Sequence, residues 1–353
     1  MKFKPIKQKK AFFFTITVLF LIALLLLISF SYRKEYTKES IKTRLLTTNS
    51  FLEFVEKDAE RAIYISGYRT CLALLDYVLT NGYVPEFQTT EKEFDTIFNQ
   101  AFLEGKFQMD REGEYYGETI LSGTTIESWM QRVENNASEF GLVLQFSRPE
   151  TDEKVIWVDQ SDPWNIDVTL FLRYNITDEN LDAIWDRSIN VSGKIPIAGL
   201  EDPIYVRQFG RDLANVIHKN TSSRDDLVYD NNCSVTHLVN HIEEMGQTGS
   251  KYIESSTAQN YLSRLRGFIS DSYRGTNTTT GMESIFHAKK LQDLGKPLVN
   301  GRSYVDHTYV EGTCSNRVEI INTQTELGWP VYMCQIEAET VYGIPSDCYN
   351  IVG

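Results

Sequence analysis

The sequence predicts an α+β protein with a long N-terminal transmembrane and stalk helix, followed by a mixed head that contains antiparallel β-sheet. Three observations lead to this fold class. Residues 11–30 form an apolar run that only Thr15, Thr17 and Ser29 interrupt. A helical stripe of apolar residues continues beyond this run, and strict two-residue alternation follows across residues 165–176. Periods of about 3.6 and 2 residues are typical of helices and half-buried strands, respectively.

The apolar run predicts a membrane anchor. Its 20 residues at about 1.5 Å per residue span roughly 30 Å, the thickness of a bilayer core. Residues 1–10 contain five lysines, and a short basic tail before an apolar segment is typical of a signal anchor. We therefore expect a basic cytoplasmic leader at 1–10, a transmembrane helix at 11–30 in contact with membrane lipid, and a single-pass plasma-membrane protein with an extracellular body.

The stalk is predicted from spacing and from the absence of proline. No proline occurs between Pro5 and Pro85, and apolar residues recur every three or four positions from Ile41 to Ile63. This pattern predicts an amphipathic stalk helix over residues 31–82 that ends at Asn81-Gly82. The anchor and the stalk form either one helix, roughly 100 Å long, or two helices with a break near residues 31–33.

The head is predicted to have two parts, an α+β part at 83–210 and a second α+β part at 211–353. Thr124 and Glu127 have the spacing of a capping box, which predicts a helix from there to Phe140. A second helix is expected at 91–104. The predicted strands are 143–147, 154–160, 165–176, 183–192, 303–310, 317–323 and 331–341.

Composition and charge restrict the class of partner. The chain has 353 residues, of which 42% are hydrophobic, and this is enough for one large or two ordinary domains. The net charge is −13, and because the first ten residues contribute +5, the rest of the chain carries −18. An acidic body argues against a nucleic-acid partner.

The five cysteines indicate an oxidising compartment. Cys233, Cys314, Cys334 and Cys348 lie in the C-terminal third of the chain, whereas Cys71 lies on the predicted stalk helix. No CxxC pair is present, so a zinc site is not expected. The four late cysteines either form two disulfides, with three possible pairings, or remain buried as small apolar residues. Cys71 is expected to be a thiol in the core.

Sequons for N-linked glycosylation are frequent in the body. Such sites require an extracytoplasmic location and an accessible asparagine. The alternation of residues 165–176 and 183–192 places two of them on polar strand faces. The six candidate acceptors are Asn136, Asn175, Asn190, Asn220, Asn232 and Asn277.

Metal and catalytic motifs are weak in this chain. His237 and His241 are four residues apart on a predicted helix, but Leu238 occupies the position of the general base in a zinc protease. Asp178, Glu179 and Asp182 resemble the start of a calcium loop without its later ligands. The pair Glu201-Asp202 precedes a proline, as turn residues often do. We therefore expect no cofactor, no enzymatic activity and no metal, with His237 and His241 as the weak candidate.

The chain resembles type IV pilin-like proteins, in which an N-terminal helix packs in a filament and a β-rich head faces outward. The leader carries this resemblance, because Lys10, Ala11 and Phe12 look like a class III signal that is cut after a small residue. The resemblance implies processing between Ala11 and Phe12. Ile16 occupies the position at which pilins usually carry glutamate, so a filament subunit and a lone anchor remain as alternatives.

Three further segments are similar to large archaeal pilin-like surface proteins. They are residues 59–62 (AERA) with 65–67 (ISG), 201–205 (EDPIY) and 303–306 (SYVD). The resemblance implies a surface location and self-association, or association with other surface or pilin-like proteins, but no activity. The leading hypothesis is a pilin-like structural or adhesive subunit. The alternatives are a membrane-tethered ligand-binding ectodomain and an external metal-dependent hydrolase.

Overall fold

The structure of the protein is a computed structural model. It describes residues 8–81, 91–108, 115–147, 155–178, 183–209, 216–219, 233, 251–255, 258–267, 281–286, 288–295, 303–306, 316–324, 328 and 330–352. The described chain is mixed helix and strand, with antiparallel sheets and an N-terminal apolar helix. This confirms the fold class at that level.

The first helix, α1, runs without interruption over Gln8–Asn81 and has 74 residues. At about 1.5 Å per residue it is roughly 110 Å long. Of the two alternatives for the anchor and the stalk, the single helix is therefore the one observed, and its end at Asn81 confirms the predicted stop.

The remaining helices are short and belong to the head. They are α2 Glu91–Glu104, α3 Glu118–Leu121, α4 Ile126–Glu139, α5 Pro203–Phe209, α6 Tyr261–Arg266, α7 Ala288–Asp293 and α8 Gln335–Thr340, with a 3₁₀ turn at Ser346–Cys348. Helix α4 begins one residue later than its predicted capping box, because Thr125 rather than Thr124 is the N-cap and accepts a hydrogen bond from the Ser128 amide at 3.1 Å. The predicted end of α4 is confirmed, with Gly141 in the left-handed region at φ 67°.

Fourteen described strands form four sheets. The strands are β1 Phe107–Gln108, β2 Tyr115–Tyr116, β3 Leu142–Phe146, β4 Ile156–Asp162, β5 Asn165–Asp178, β6 Ala183–Pro196, β7 His218–Lys219, β8 Lys251–Ser255, β9 Gly281–Glu283, β10 Ile285–Phe286, β11 Ser303–Val305, β12 Arg317–Ile320, β13 Val331–Cys334 and β14 Tyr349–Val352. The main sheet is antiparallel: β6 pairs with β5 along its whole length, and β3 and β4 pair with the two halves of β5 on its other side.

The main sheet has one buried face and one exposed face. Along β5 every second residue from Ile166 to Asp178 is buried, while the residues between them are half-buried or exposed. The inner face and α1 share a core that includes Val55, Ala59 and Ile63. This core contains residues from both sides of position 210, and the division of the head at that position stays a prediction.

Two glycines permit α1 to lie close against β6. A Cβ atom at Gly67 of α1 would come within 2.0 Å of Ile195 Cδ1, and one at Gly193 of β6 within 2.7 Å of Ile63 Cγ2. Each glycine therefore receives an isoleucine from the opposite element, and both isoleucines are fully buried. The segment 65–67 thus has a packing role in this chain.

Substitution of Gly193 by alanine is expected to lower the free energy of unfolding by about 1–3 kcal/mol, because the new methyl group overpacks the contact with Ile63. Denaturant unfolding of the soluble head and stalk measures the loss. Ser188→Ala, on the exposed side of the same strand, is the matched control and should change little. The additional substitution Ile63→Val should recover part of the loss, and equal losses in both Gly193→Ala backgrounds would contradict this assignment.

The C-terminal part contains the order β10-β11-β13-β12-β14 and a smaller sheet, β7-β8-β9. The predicted strand at 331–341 is wrong in its second half, since β13 ends at Cys334 and α8 follows. Glu337 accepts a hydrogen bond from the Cys334 amide at 2.9 Å and so caps the first turn of α8. The predicted strand at 317–323 is shorter than expected and ends at Ile320.

Candidate functional site

A buried group of charges centres on Arg264 of α6. The Arg264 side chain has 0% exposure, and its Nη1 lies 2.6 Å from Asp202 Oδ2 and 2.9 Å from Asp306 Oδ2. Its Nε donates to the Gln259 carbonyl at 3.2 Å, and its Nη2 donates to the Met282 carbonyl. The guanidinium therefore connects segments that lie far apart in the sequence.

Both carboxylates of this centre are held by further donors. Asp202 accepts from the Ile204 amide at 2.9 Å, which caps α5, and from the Tyr252 hydroxyl at 2.7 Å. Asp306 accepts from the amide and from the hydroxyl of Ser284, each at 2.9 Å. Since a buried charge is tolerated only when it is paired and hydrogen-bonded, these contacts explain how two aspartates are accommodated in the core.

The electrostatics follow from the same geometry. Burial raises the pKa of Asp202 above its ordinary value, although the nearby Arg264 charge acts in the opposite direction. Burial alone would lower the pKa of Arg264, but the Asp202 and Asp306 carboxylates raise it above its ordinary value. Asp202, Arg264 and Asp306 are all fully buried, so these three side chains expose no charged group to solvent. Their contacts with one another join distant elements of the head.

Residues 201–205 and 303–306, which were singled out in the sequence, meet at this centre. Segment 201–205 supplies Asp202, and segment 303–306 supplies Asp306. Of the adjacent acids Glu201 and Asp202, Asp202 belongs to this centre, whereas Glu201 is half-buried and its backbone forms a bridge with Val216. Sequence reasoning missed Arg264, because the same short helix also contains Arg266 and no local pattern distinguishes the two cations.

Asp178, the first residue of the calcium-loop pattern, forms an ion pair with the stalk helix. The Asp178 side chain is fully buried and lies 2.5 Å from Arg44 Nε of α1. Arg44 also donates to the Gly141 carbonyl at 3.3 Å, so it fastens the stalk to the head. Glu179 and Asp182 lie outside the described residues. Among the described residues, no group of three or more His, Cys, Asp or Glu side chains is placed to hold a metal ion.

The cysteines are partly described. Cys233 and Cys348 form a disulfide with a sequence separation of 115, and Cys334 is also disulfide-bonded. Cys314 lies outside the described residues. Cys71 is a free buried thiol, as expected, and burial raises its pKa to about 12. Disulfide formation among the late cysteines is therefore confirmed, whereas their full pairing stays a prediction.

Three of the six glycosylation candidates lie among the described residues and three do not. Asn136 on α4, Asn175 on β5 and Asn190 on β6 are all exposed, as a modified asparagine must be. Asn220, Asn232 and Asn277 lie outside the described residues, as do His237 and His241. Lys10, Ala11 and Phe12 belong to the first turns of α1, but their side chains are outside the described part of the chain.

Two further features lie on the surface of the described chain. Phe14–Ser31 of α1 is long and apolar enough to cross a membrane, and none of it is buried inside the protein. Between α1 and β6 lies a groove of about 550 Å³ that is lined by Glu53, Glu56, Lys57, Glu60 and residues 189–192.

Comparison with protein-family models, with curated proteins and with solved structures found no match.

Proposed function

We propose that this protein is a single-pass, membrane-anchored extracytoplasmic surface protein that acts as a pilin-like structural or adhesive subunit. One observation carries the proposal: a single helix has a fully exposed apolar end at Phe14–Ser31 and a distal half that packs in the core of the head. Exposed apolar surface of this extent requires lipid or protein to cover it. The exposed sequons and the disulfides support an extracytoplasmic head.

The anchor is tested by a charged substitution. Leu25→Arg is expected to lower the membrane-inserted fraction, because a central arginine disfavours insertion by about 2.5–3.5 kcal/mol. The readout is the chain retained in carbonate-washed membranes. Ser50→Arg, at an exposed stalk position, is the matched control and should leave insertion unchanged.

Orientation is tested on the same cells with an external protease. We expect cleavage of the head on intact cells that express the wild-type chain. A head that is protected until the cells are lysed would contradict the proposed location.

The pilin-like part of the proposal is tested by mass spectrometry of the N-terminal peptide of the membrane protein. A mature start at Phe12 is expected, with loss of processing in Lys10 or Ala11 variants. A start at Met1 in the native protein would contradict leader processing and would favour a permanent lone anchor.

A ligand-binding ectodomain is the second candidate, and the groove between α1 and β6 favours it. The lining of the groove contains three carboxylates, those of Glu53, Glu56 and Glu60, and one amine, that of Lys57. The net charge of these four side chains is negative, so the groove suits a small cationic ligand. Titration of spermidine into the wild-type protein and a Glu53→Gln/Glu56→Gln variant tests this candidate. Equal binding to both proteins, or binding to neither, would contradict it.

A further inference from the structure

We propose that Asn190 carries an N-linked glycan whose first sugars stack on two aromatic rings, Phe171 and Trp157, on the outer face of the main sheet. The inference rests on the proposed extracytoplasmic location, because the transfer of such glycans takes place on that side of a membrane. It adds a modification site and the protein surface that receives the attached sugar.

Phe171 stands directly beside the acceptor asparagine. In the β5–β6 register Phe171 pairs with Asn190, and side chains of opposed residues have Cβ atoms about 4.5–5.5 Å apart on one face. Phe171 is the only apolar residue among the outward-facing positions of β5, which otherwise carry Asn, Asp, Thr and Arg. This phenyl group is half-buried although it lies on the polar side of the sheet.

Trp157 extends the aromatic surface to a third strand. It pairs with Thr169 on β5, two residues from Phe171, and such diagonal neighbours are about 7–8 Å apart. The Trp157 side chain is 44% exposed. Asn190, Phe171 and Trp157 therefore follow one another across β6, β5 and β4, which gives a sugar chain at the edge strand a path over the sheet.

Hydroxyl groups border this path. Thr169 Oγ1 and Ser192 Oγ are 2.9 Å apart, and Ser192 is the third residue of the Asn190 sequon. A pyranose ring presents polarised C–H groups on one face and hydroxyls at its rim. The negative faces of aromatic rings attract the C–H groups, and the Thr169–Ser192 pair offers hydrogen bonds to the rim. The local chemistry thus matches a carbohydrate.

The covalent step is a substitution at the anomeric carbon of a lipid-linked sugar phosphate. Asn190 Nδ2 forms the new bond to C1 of the sugar and releases one amide proton. The bond from C1 to the phosphate oxygen breaks, and its electron pair leaves with the lipid phosphate. No oxidant or reductant is required.

Two other exposed sequons provide internal controls. Asn175 lies on the same outer face, but its cross-strand neighbours are Asp186 and Gln145. Asn136 lies on α4. Asn175 has no aromatic residue paired beside it in the sheet register, so a glycan attached there should extend into solvent. Asn136 is four residues before the exposed ring of Phe140 and therefore serves only as a control for site occupancy.

The experiment uses full-length protein purified from its native membranes. Site-resolved mass spectrometry measures the occupancy of Asn136, Asn175 and Asn190, and the rate of enzymatic glycan release from the folded chain is followed at each site. We expect an occupied Asn190 whose glycan is released roughly threefold more slowly than that of Asn175, in line with one aromatic contact. Phe171→Ala should remove this difference, whereas Phe171→Trp should retain it.

The outcomes separate this inference from the proposed function. An unmodified Asn190 beside an occupied Asn136 or Asn175 overturns the inference and leaves the extracytoplasmic location supported. An occupied Asn190 with a release rate that Phe171→Ala does not change overturns the stacking. Protection of the whole head from external protease on intact cells overturns the proposed function as well.

Discussion

Replacement of Arg264 by methionine is expected to lower the free energy of unfolding by about 3–5 kcal/mol at neutral pH. The substitution preserves much of the side-chain volume but leaves the Asp202 and Asp306 carboxylates buried without a counter-charge. Both acids have 0% side-chain exposure, so water cannot solvate them in the folded state. Denaturant unfolding of the soluble head and stalk measures the loss.

An exposed ion pair provides the control for this prediction. Lys194 of β6 lies 3.5 Å from Asp162 and 3.7 Å from Asp167, with 64% of its side chain exposed. Lys194→Met should therefore change stability by no more than about 1 kcal/mol. Equal effects of Arg264→Met and Lys194→Met would show that the buried centre does not stabilise the head.

The Arg264→Met variant should also respond to pH. Burial already raises the folded-state pKa of Asp202 above its unfolded value of 3.8, and loss of the arginine raises it further. Between the unfolded and the folded pKa the native state binds more protons than the unfolded chain, so stability falls as pH rises through this window. The deficit of the variant should therefore be smaller near pH 4, close to the unfolded pKa, than at neutral pH, and a deficit that stays constant over this range would contradict the assignment.

Removal of the Cys233–Cys348 disulfide is expected to lower the free energy of unfolding by about 2–5 kcal/mol. The bond joins positions 115 residues apart, and closing so long a segment restricts the unfolded chain strongly. A Cys233→Ala/Cys348→Ala variant, compared with the oxidised wild type by thermal unfolding, measures the effect. Because disulfides persist in oxidising compartments, the same comparison shows whether the head depends on export for its stability.

Cys71→Ala is the matched control for the disulfide, because Cys71 is a buried thiol outside any disulfide. It removes one sulfur from the core without opening a bond, and it should reduce stability by about 1 kcal/mol. If the double variant lost no more free energy of unfolding than Cys71→Ala does, the covalent bond itself would add nothing to stability beyond the packing of its sulfur atoms.

The parts of the fold that local periodicity determines were predictable. The continuous apolar pattern of α1 and the alternation of β5 both extend over ten residues or more, so neighbouring positions reinforce each other in the pattern. Phe171 was the single apolar exception on the polar face of β5. In the structure it pairs with Asn190, the acceptor asparagine of a sequon. The exposure of Asn175 and Asn190 also followed from alternation.

The remaining features depend on contacts between distant residues. Arg264 meets Asp202 and Asp306 across 62 and 42 positions, and no local pattern carries such a pairing. The predicted strand at 331–341 included residues 335–340, which form α8. The Glu337 side chain caps the first turn of α8 and so favours the helix at this position.

Because α1 is uninterrupted, the number of helical residues between the anchor and the head determines the direction in which the head faces. The anchor window ends at Ser31, and Arg44 is the first residue beyond it whose described side chain contacts the head. The backbone between these two residues is helical throughout. In a helix with 3.6 residues per turn, deletion of one residue turns everything beyond it by about 100° and lowers it by about 1.5 Å. A deletion of seven residues nearly restores the original azimuth while it brings the head about 10 Å closer to the lipid.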